Sequence, residues 1–163
     1  MGGSSAGRKA ASRWWRLFAL GIVIGTGVIV TLTPIGTRIY MNLRPADPLL
    51  QGWEVYQPQA FTELLKGPEP VLVEIYASWC PTCLAQQKAF RALSSRGQLP
   101  HIRYVRVDFD RDRDFVSRYR VEGTGLLIFF DEGREIARAG GLVMPEDIDR
   151  FLRRVNARVR AAD

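Results

Sequence analysis

The sequence predicts an α/β domain preceded by one N-terminal transmembrane helix. Two observations lead to this prediction. A run of 20 residues without a charged side chain, residues 17–36, lies near the start of the chain. The rest of the sequence alternates strand-like and helix-like segments, which is the pattern of an α/β domain. The length of 163 residues suits one such domain plus a modest extra segment.

The N-terminal run has the features of an uncleaved membrane anchor. Residues 17–36 are long enough to cross a hydrocarbon core of ~30 Å as a helix. Trp14 and Trp15 stand at its start, where an interfacial aromatic belt is expected. The alternative is a cleaved signal peptide, whose apolar core is normally about 7–15 residues long and ends in an Ala-x-Ala-like site. The segment Thr31-Leu32-Thr33-Pro34 offers no such site, so the anchor is favoured.

The charge distribution predicts the orientation of this anchor. The net charge is +6, and four basic residues precede the apolar run before any acidic residue occurs: Arg8, Lys9, Arg13 and Arg16. The positive-inside rule then places the N-terminus in the cytoplasm and the rest outside the inner (cytoplasmic) membrane, in the periplasm or an equivalent space. We therefore divide the chain into a cytoplasmic basic N-terminus (1–16), an anchor (17–36), a tether (37–52) and a folded domain (53–163). Beyond residue 47 the charges are interspersed without a basic stripe, which argues against nucleic-acid binding.

The first elements of the domain follow from hydrophobic patterning and from helix-ending residues. A short helix is predicted over 58–66, closed by Gly67-Pro68. Residues 71–76 form a nearly continuous apolar run, as expected for a strand buried on both faces. A helix from Cys83 to about Arg96 follows, with apolar residues at core spacing and Gly97 after it. The sequence also allows an additional strand near Trp53-Glu54-Val55.

The second half continues the alternation. A strand is predicted over 102–107, a short helix over 112–119 and a third apolar strand over 126–130. Asp131-Glu132-Gly133 is a hairpin signal that leads to a strand around residues 136–138. The final helix begins near Pro145, with acidic residues in its first turn and an apolar face along its length.

Both cysteines of the chain lie in Cys80-Pro81-Thr82-Cys83. With no third cysteine, the chain can form neither an intramolecular structural disulfide beside this pair nor a Cys-rich zinc site. A Cys-x-x-Cys pair alone is compatible with half a zinc site or with chance. At the end of a predicted strand and the start of a predicted helix, it indicates a dithiol that cycles between thiol and disulfide.

The position of each cysteine predicts its role. A helix N-terminus carries partial positive charge and unpaired N–H groups, so a cysteine there reacts more readily as thiolate. Cys80 is therefore the expected nucleophile, and Cys83, three residues later, the resolving cysteine. Pro81 is tolerated in the first helical turn because it lacks only an N–H that has no intrahelical partner. Glu74, an acid inside the apolar strand, is either solvated at an edge or buried beneath the thiols as a proton relay. We favour the second interpretation.

Residues 71–155 resemble a thioredoxin domain. The resemblance rests on the stretches 73–83, 105–108, 119–124 and 127–131 and on Gly140-Gly141 before the last helix. The dipeptide Pro81-Thr82 resembles that of the membrane-tethered TlpA and cytochrome c maturation thioredoxins. The sequence from Glu74 to Cys80 also resembles the C-terminal domain of the DsbD reductase.

This resemblance implies a central mixed sheet flanked by helices and a Cys80–Cys83 redox disulfide. It implies a thiol–disulfide oxidoreductase without cofactor that acts on protein disulfides, with reduction the favoured direction. A reductase outside the cytoplasm needs electrons relayed across the membrane, which implies a DsbD-like donor. The buried acid of the family matches Glu74, and the residue that shields the thiols matches Trp79.

The chain departs from the family pattern at Gly125. Thioredoxins carry a cis-proline in the loop facing the dithiol, and aligning Gly123-Thr124 places Gly125 at that position. Since a non-proline cis bond costs ~2.5–4 kcal/mol, we expect a trans or rearranged loop. The proline seats substrate and excludes metal, so an alternative function is a binding or assembly factor that captures a partner or metal at Cys80 and Cys83.

No resident metal site is expected. The run Asp108-x-Asp110-x-Asp112 begins like a calcium loop, but Arg113 and Tyr119 occupy positions that require glycine and glutamate.

Overall fold

The computed structural model describes residues 15, 21, 22, 45 and 47–160, with the side chain of residue 160 excepted. The chain divides into two units with a boundary after Leu43, and residues 47–160 belong to the second. The predicted anchor, 17–36, lies outside the described residues except at positions 21 and 22, as does most of the N-terminal segment before it. Within the described residues, no helix combines the length and the hydrophobicity needed to cross a bilayer.

The described domain contains five strands and four helices. The strands are β1 (Trp53–Val55), β2 (Val71–Tyr76), β3 (Arg103–Asp108), β4 (Leu126–Asp131) and β5 (Arg134–Gly140). The helices are α1 (Pro58–Leu64), α2 (Pro81–Ser95), α3 (Arg113–Arg118) and α4 (Pro145–Arg160). Each element predicted for residues 53–163 is present within a few residues of its expected bounds, and the additional strand at residues 53–55 is confirmed.

The strands form one mixed sheet in the order β1-β3-β2-β4-β5. Strands β1, β3 and β2 run parallel, whereas β4 is antiparallel to β2 and to β5. Glu132 and Gly133, the two residues between β4 and β5, both have positive φ, 46° and 73°. This is the geometry of a tight hairpin whose twist matches that of its strands, so the hairpin prediction is confirmed.

Helices cover both faces of the sheet, and two apolar clusters fill the space beneath them. One cluster joins α2 and α4 to the sheet and includes Phe90, Leu127 and Ile148, each without exposed surface. The other joins α1 and α3 to the opposite face and includes Phe61, Phe115 and Val73. Strand β2 lies in the centre and is buried at every position. The residues that follow β2 therefore leave the sheet from its buried central strand.

Candidate active site

Cys80 lies between the carboxyl end of β2 and the first turn of α2. The helix begins at Pro81 rather than at Cys83, because Cys80 itself is the extended N-cap residue. Its Sγ accepts a hydrogen bond from the backbone N–H of Cys83, over 3.1 Å. The side chain is 3% exposed. An N–H group at a helix N-terminus that points at the sulfur stabilises negative charge on it, as a nucleophilic thiolate requires.

Cys83 has the opposite environment. It is fully buried, and its Sγ lies 3.7 Å from the carbonyl oxygen of Ile75. Burial, the contact with Cys80 and the charge of Glu74 together raise the pKa of the Cys83 thiol to about 12. The two cysteines are free thiols in the structure. One thiol at the helix entrance and one protonated thiol beneath it match the division into nucleophile and resolving cysteine.

Glu74 is buried with no exposed surface, so the interpretation as a solvated edge residue is wrong. It lies at the centre of β2 and faces α2, where the Nε2 of Gln87 is 2.6 Å from both carboxyl oxygens. On β3, the Nε of Arg106 lies 3.1 Å from Oε2. Desolvation raises the pKa of Glu74 above its ordinary value, and Arg106 and Gln87 oppose this effect. The charge of Glu74 acts on the buried Cys83 thiol, and a carboxyl with a raised pKa in that position is suited to exchange a proton with the thiol.

Two residues that the sequence analysis did not identify, Arg106 and Gln87, hold this carboxyl. Arg106 is directly opposite Glu74 in the parallel register of β2 and β3, and it is 7% exposed. A charged residue in the middle of an apolar strand was a signal available in the sequence. No comparable signal distinguishes Gln87 from the other polar residues of α2.

The segment before β1 covers Arg106. The carbonyl of Asp47 accepts from Nη1 of Arg106 over 2.8 Å, and its N–H donates to the Tyr76 hydroxyl over 2.9 Å. The guanidinium lies over the Tyr76 ring, 4.3 Å from its centroid. Part of the segment predicted as a tether therefore packs against the domain beside the buried pair.

Trp79 lies directly before the dithiol and packs partly buried against it, as the resemblance implied. Its indole N–H donates to the Asp110 carboxylate over 2.7 Å. This hydrogen bond fixes the ring beside Cys80 and ties the residues before α2 to the loop after β3. Asp110 therefore serves to orient Trp79. Within the described residues, no cluster of three or more histidine, cysteine or acidic side chains is arranged to hold a metal ion.

Gly125 brings the loop before β4 against the dithiol helix. No cis peptide bond occurs in the described residues, and Gly125 has a φ of +69°. Its N–H donates to the carbonyl of Ile75 over 2.9 Å, and its carbonyl accepts from the N–H of Gly141 over 3.0 Å. A Cβ at this position would lie 2.8 Å from Cγ2 of Thr82. The expected trans loop is confirmed, and the Thr82 methyl group occupies the space that a larger residue would need.

Thr124, directly before Gly125, lines a shallow cleft of about 350 Å³ between the start of β4 and the end of β5. Arg120, Glu122 and Arg138 also line it, so its surroundings are polar and charged. The cleft lies beside the Gly125 loop and borders the same end of the sheet as the dithiol.

Comparisons with known proteins agree with this geometry. The family described as Thioredoxin matches residues 53–154. A thioredoxin of Chlamydia trachomatis is 33% identical over 72 residues, which cover 44% of this chain and 69% of that protein. A protein disulfide isomerase-like 1-4 of Arabidopsis thaliana is 28% identical over 87 residues, covering 53% of this chain but only 15% of that protein.

A solved structure, Trxlp of Edwardsiella tarda EIB202, has 32% identity and a TM-score of 0.57, and the match covers 61% of this chain and 97% of that one. The sheet order, the unequal thiols at the start of α2 and these matches lead to one conclusion. The chain belongs to the thioredoxin family and is a thiol–disulfide oxidoreductase.

Proposed function

We propose that this protein is a membrane-anchored reductase of protein disulfides whose domain lies outside the cytoplasm. The observation that supports the chemistry best is the asymmetry of the two thiols. The Sγ of Cys80, at the start of the helix, accepts a hydrogen bond from the N–H of Cys83. The Cys83 thiol is buried, and burial raises its pKa to about 12. The uncharged run 17–36 behind a basic N-terminus supports the anchor and its orientation.

The reaction proceeds in two exchanges. The Cys80 thiolate attacks one sulfur of a substrate disulfide, a mixed disulfide forms, and the departing substrate thiolate takes a proton. Cys83 then transfers its proton to the Glu74 carboxylate and attacks Cys80. The mixed disulfide breaks, the second substrate sulfur leaves as a thiolate that takes the proton from Glu74, and the two electrons lost by the cysteines appear in the reduced substrate. The Cys80–Cys83 disulfide that remains must be reduced by a donor, for which we propose a DsbD-like membrane protein.

The residues between the cysteines support the reducing direction. Pro81-Thr82 resembles the dipeptide of the cytochrome c maturation thioredoxins, so substrates of that process are the first candidates. We further propose that Gly125 stands where related proteins carry their cis-proline. Because Thr82 packs against Gly125, this substitution does not simply open the site. The alternative of an assembly factor that captures metal at the dithiol loses part of its support for that reason.

Insulin reduction by the full chain, with metal content measured on the same preparation, tests the proposal. We expect metal-free wild-type protein to reduce insulin with turnover. The Cys80→Ser variant should show no turnover. Trapping with Cys83→Ala should also hold a substrate on Cys80 as a mixed disulfide. A stable stoichiometric metal complex without turnover would favour the assembly factor instead.

A further inference from the structure

The Glu74 carboxyl has two side-chain neighbours of different chemistry. Arg106 approaches from β3 and carries only hydrogen-bond donors. Gln87 approaches from α2 and carries both a donor and an acceptor in one amide group. The other ionisable groups that interact electrostatically with the carboxyl are Cys83 on α2 and Asp47 before β1. Tyr76, on the same strand, contacts the guanidinium of Arg106.

A proton on Glu74 changes what the carboxyl needs from its neighbours. The carboxylate only accepts hydrogen bonds, whereas the protonated acid has one O–H to donate. Arg106 cannot accept it. The Oε1 atom of Gln87 can, and in the structure this oxygen is buried without a hydrogen-bond partner. A buried acceptor left without a partner costs about 1–3 kcal/mol, so its presence beside a carboxyl that exchanges a proton requires an explanation.

We propose that Gln87 is a positioning residue for the Glu74 proton relay, its amide donating to the carboxylate and, after rotating, accepting the O–H of the acid. The terminal torsion of a glutamine side chain is soft, so exchanging its nitrogen and oxygen costs little. Gln87 lies four residues after Cys83 and therefore on the same face of α2. One helix thus carries both the thiol that releases the proton and the amide that accepts a hydrogen bond from the carboxyl once the proton is on it. This inference rests on the proposed role of Glu74.

The chain offers a matched control in Gln86. It is equally buried on α2, its Oε1 is also without a partner, and its Nε2 donates to the carbonyl of Leu142 over 3.1 Å rather than to Glu74. Replacing either glutamine by methionine removes one buried amide and keeps the length of the side chain. A general structural effect should be similar in both variants, whereas an effect on Glu74 should occur only in Gln87→Met.

The test measures the full chain in three ways: the rate of disulfide exchange against pH, the pH midpoint of the Glu74 carboxyl by ¹³C NMR, and its carbonyl stretch by infrared spectroscopy. Hydrogen bonds to charged groups are about twice as strong as neutral ones, so losing the amide destabilises the carboxylate more than the acid. In Gln87→Met we expect the midpoint to move to higher pH and the stretch of the acid to higher wavenumber. We expect exchange to slow about tenfold, a fraction of the roughly 10²–10⁴-fold that general acid–base catalysis contributes.

Gln86→Met should leave the midpoint and the stretch at their wild-type values. If Gln87→Met gives the same midpoint and stretch as Gln86→Met, the inference is overturned. If Gln87→Met does not fold, Gln87→Asn withdraws the amide by one methylene and should shift both signals in the same direction; an unshifted midpoint there also overturns it. Glu74→Gln, measured in parallel, distinguishes failure of the proposed Glu74 relay from failure of the proposed role of Gln87. Wild-type kinetics in Glu74→Gln reject the relay itself, whereas slow Glu74→Gln with wild-type Gln87→Met rejects only the role of Gln87.

Discussion

Replacing Gly125 by alanine should destabilise the protein by more than its backbone conformation alone explains. The residue has a φ of +69°, a left-handed conformation that costs a residue with a Cβ about 1–2 kcal/mol. The added Cβ would also lie 2.8 Å from Cγ2 and 3.3 Å from Cβ of Thr82. Forcing an extra carbon into a packed contact costs about 1–3 kcal/mol. The expected loss in the free energy of unfolding is therefore about 2–5 kcal/mol, the sum of these two ranges.

Two further variants separate these contributions. Gly141 has a φ of +71° and no atom within 4 Å of its Cβ position, so Gly141→Ala should show the backbone cost alone. Thr82→Ser removes the methyl group that collides with the new Cβ. The double variant Gly125→Ala/Thr82→Ser should therefore recover part of the loss, with a coupling energy of about 0.5–3 kcal/mol.

Urea-induced unfolding, followed by tryptophan fluorescence, measures all four variants against the wild type. The reasoning is refuted if Gly125→Ala costs no more than Gly141→Ala and Thr82→Ser does not couple to it. In that case the loop before β4 does not depend on its contact with α2. The disulfide-exchange rate of the same variants would show whether this contact also matters for substrate.

Three other predictions concern the same region. Gly125→Pro should destabilise the protein more than Gly125→Ala, because proline holds φ near about −65° and lacks the N–H that donates to Ile75 over 2.9 Å; wild-type stability in urea unfolding would show that the loop rebuilds around a proline. Burial raises the pKa of Cys83 to about 12, whereas an unfolded cysteine titrates near about 8.5, so the folded state holds this proton more tightly. The contribution of this proton to the free energy of unfolding is fully present below pH ~8.5. It is lost at about 1.4 kcal/mol per pH unit as the pH rises from there towards the folded pKa. Cys83→Ala should lack this slope in pH-dependent unfolding of the reduced protein, and equal slopes would contradict the assignment. Tyr76→Phe removes the hydroxyl that binds Asp47 and should cost about 1 kcal/mol in unfolding while making the segment 47–52 more sensitive to proteases; an unchanged cleavage rate would mean that this segment is held by other contacts.

Much of the fold could be predicted because local patterns and tertiary structure agree. The apolar run 71–76 is the central strand, with the bounds that the sequence indicated. The hairpin at Glu132-Gly133 forms where both residues have positive φ, a conformation that Gly133 adopts without steric cost. The helix after the dithiol begins two residues earlier than predicted, because Pro81 is favourable in the first turn and Cys80 acts as the N-cap.

The surroundings of Glu74 could not be predicted in the same way. That the acid is buried was one of two open alternatives, since a strand sequence does not show what covers each face. Its partners come from places far apart in the chain, and the register of β2 and β3 puts Arg106 opposite Glu74 while the turn of α2 puts Gln87 above it. Such long-range contacts depend on how elements pack, which hydrophobic periodicity does not specify.

The sequence by itself determined that this chain carries a redox dithiol at the junction of a buried strand and a helix. Two cysteines at that spacing, with an apolar strand before them, admit few other interpretations. The tertiary structure alone decided how the pair is supported. It shows that Cys83 is buried, which raises the pKa of its thiol. It also shows the amide and guanidinium that bind Glu74 and the methyl group of Thr82 against Gly125. The physical reason is that reactivity depends on desolvation and on neighbours within a few ångströms, and these neighbours meet only when the sheet and helices are assembled.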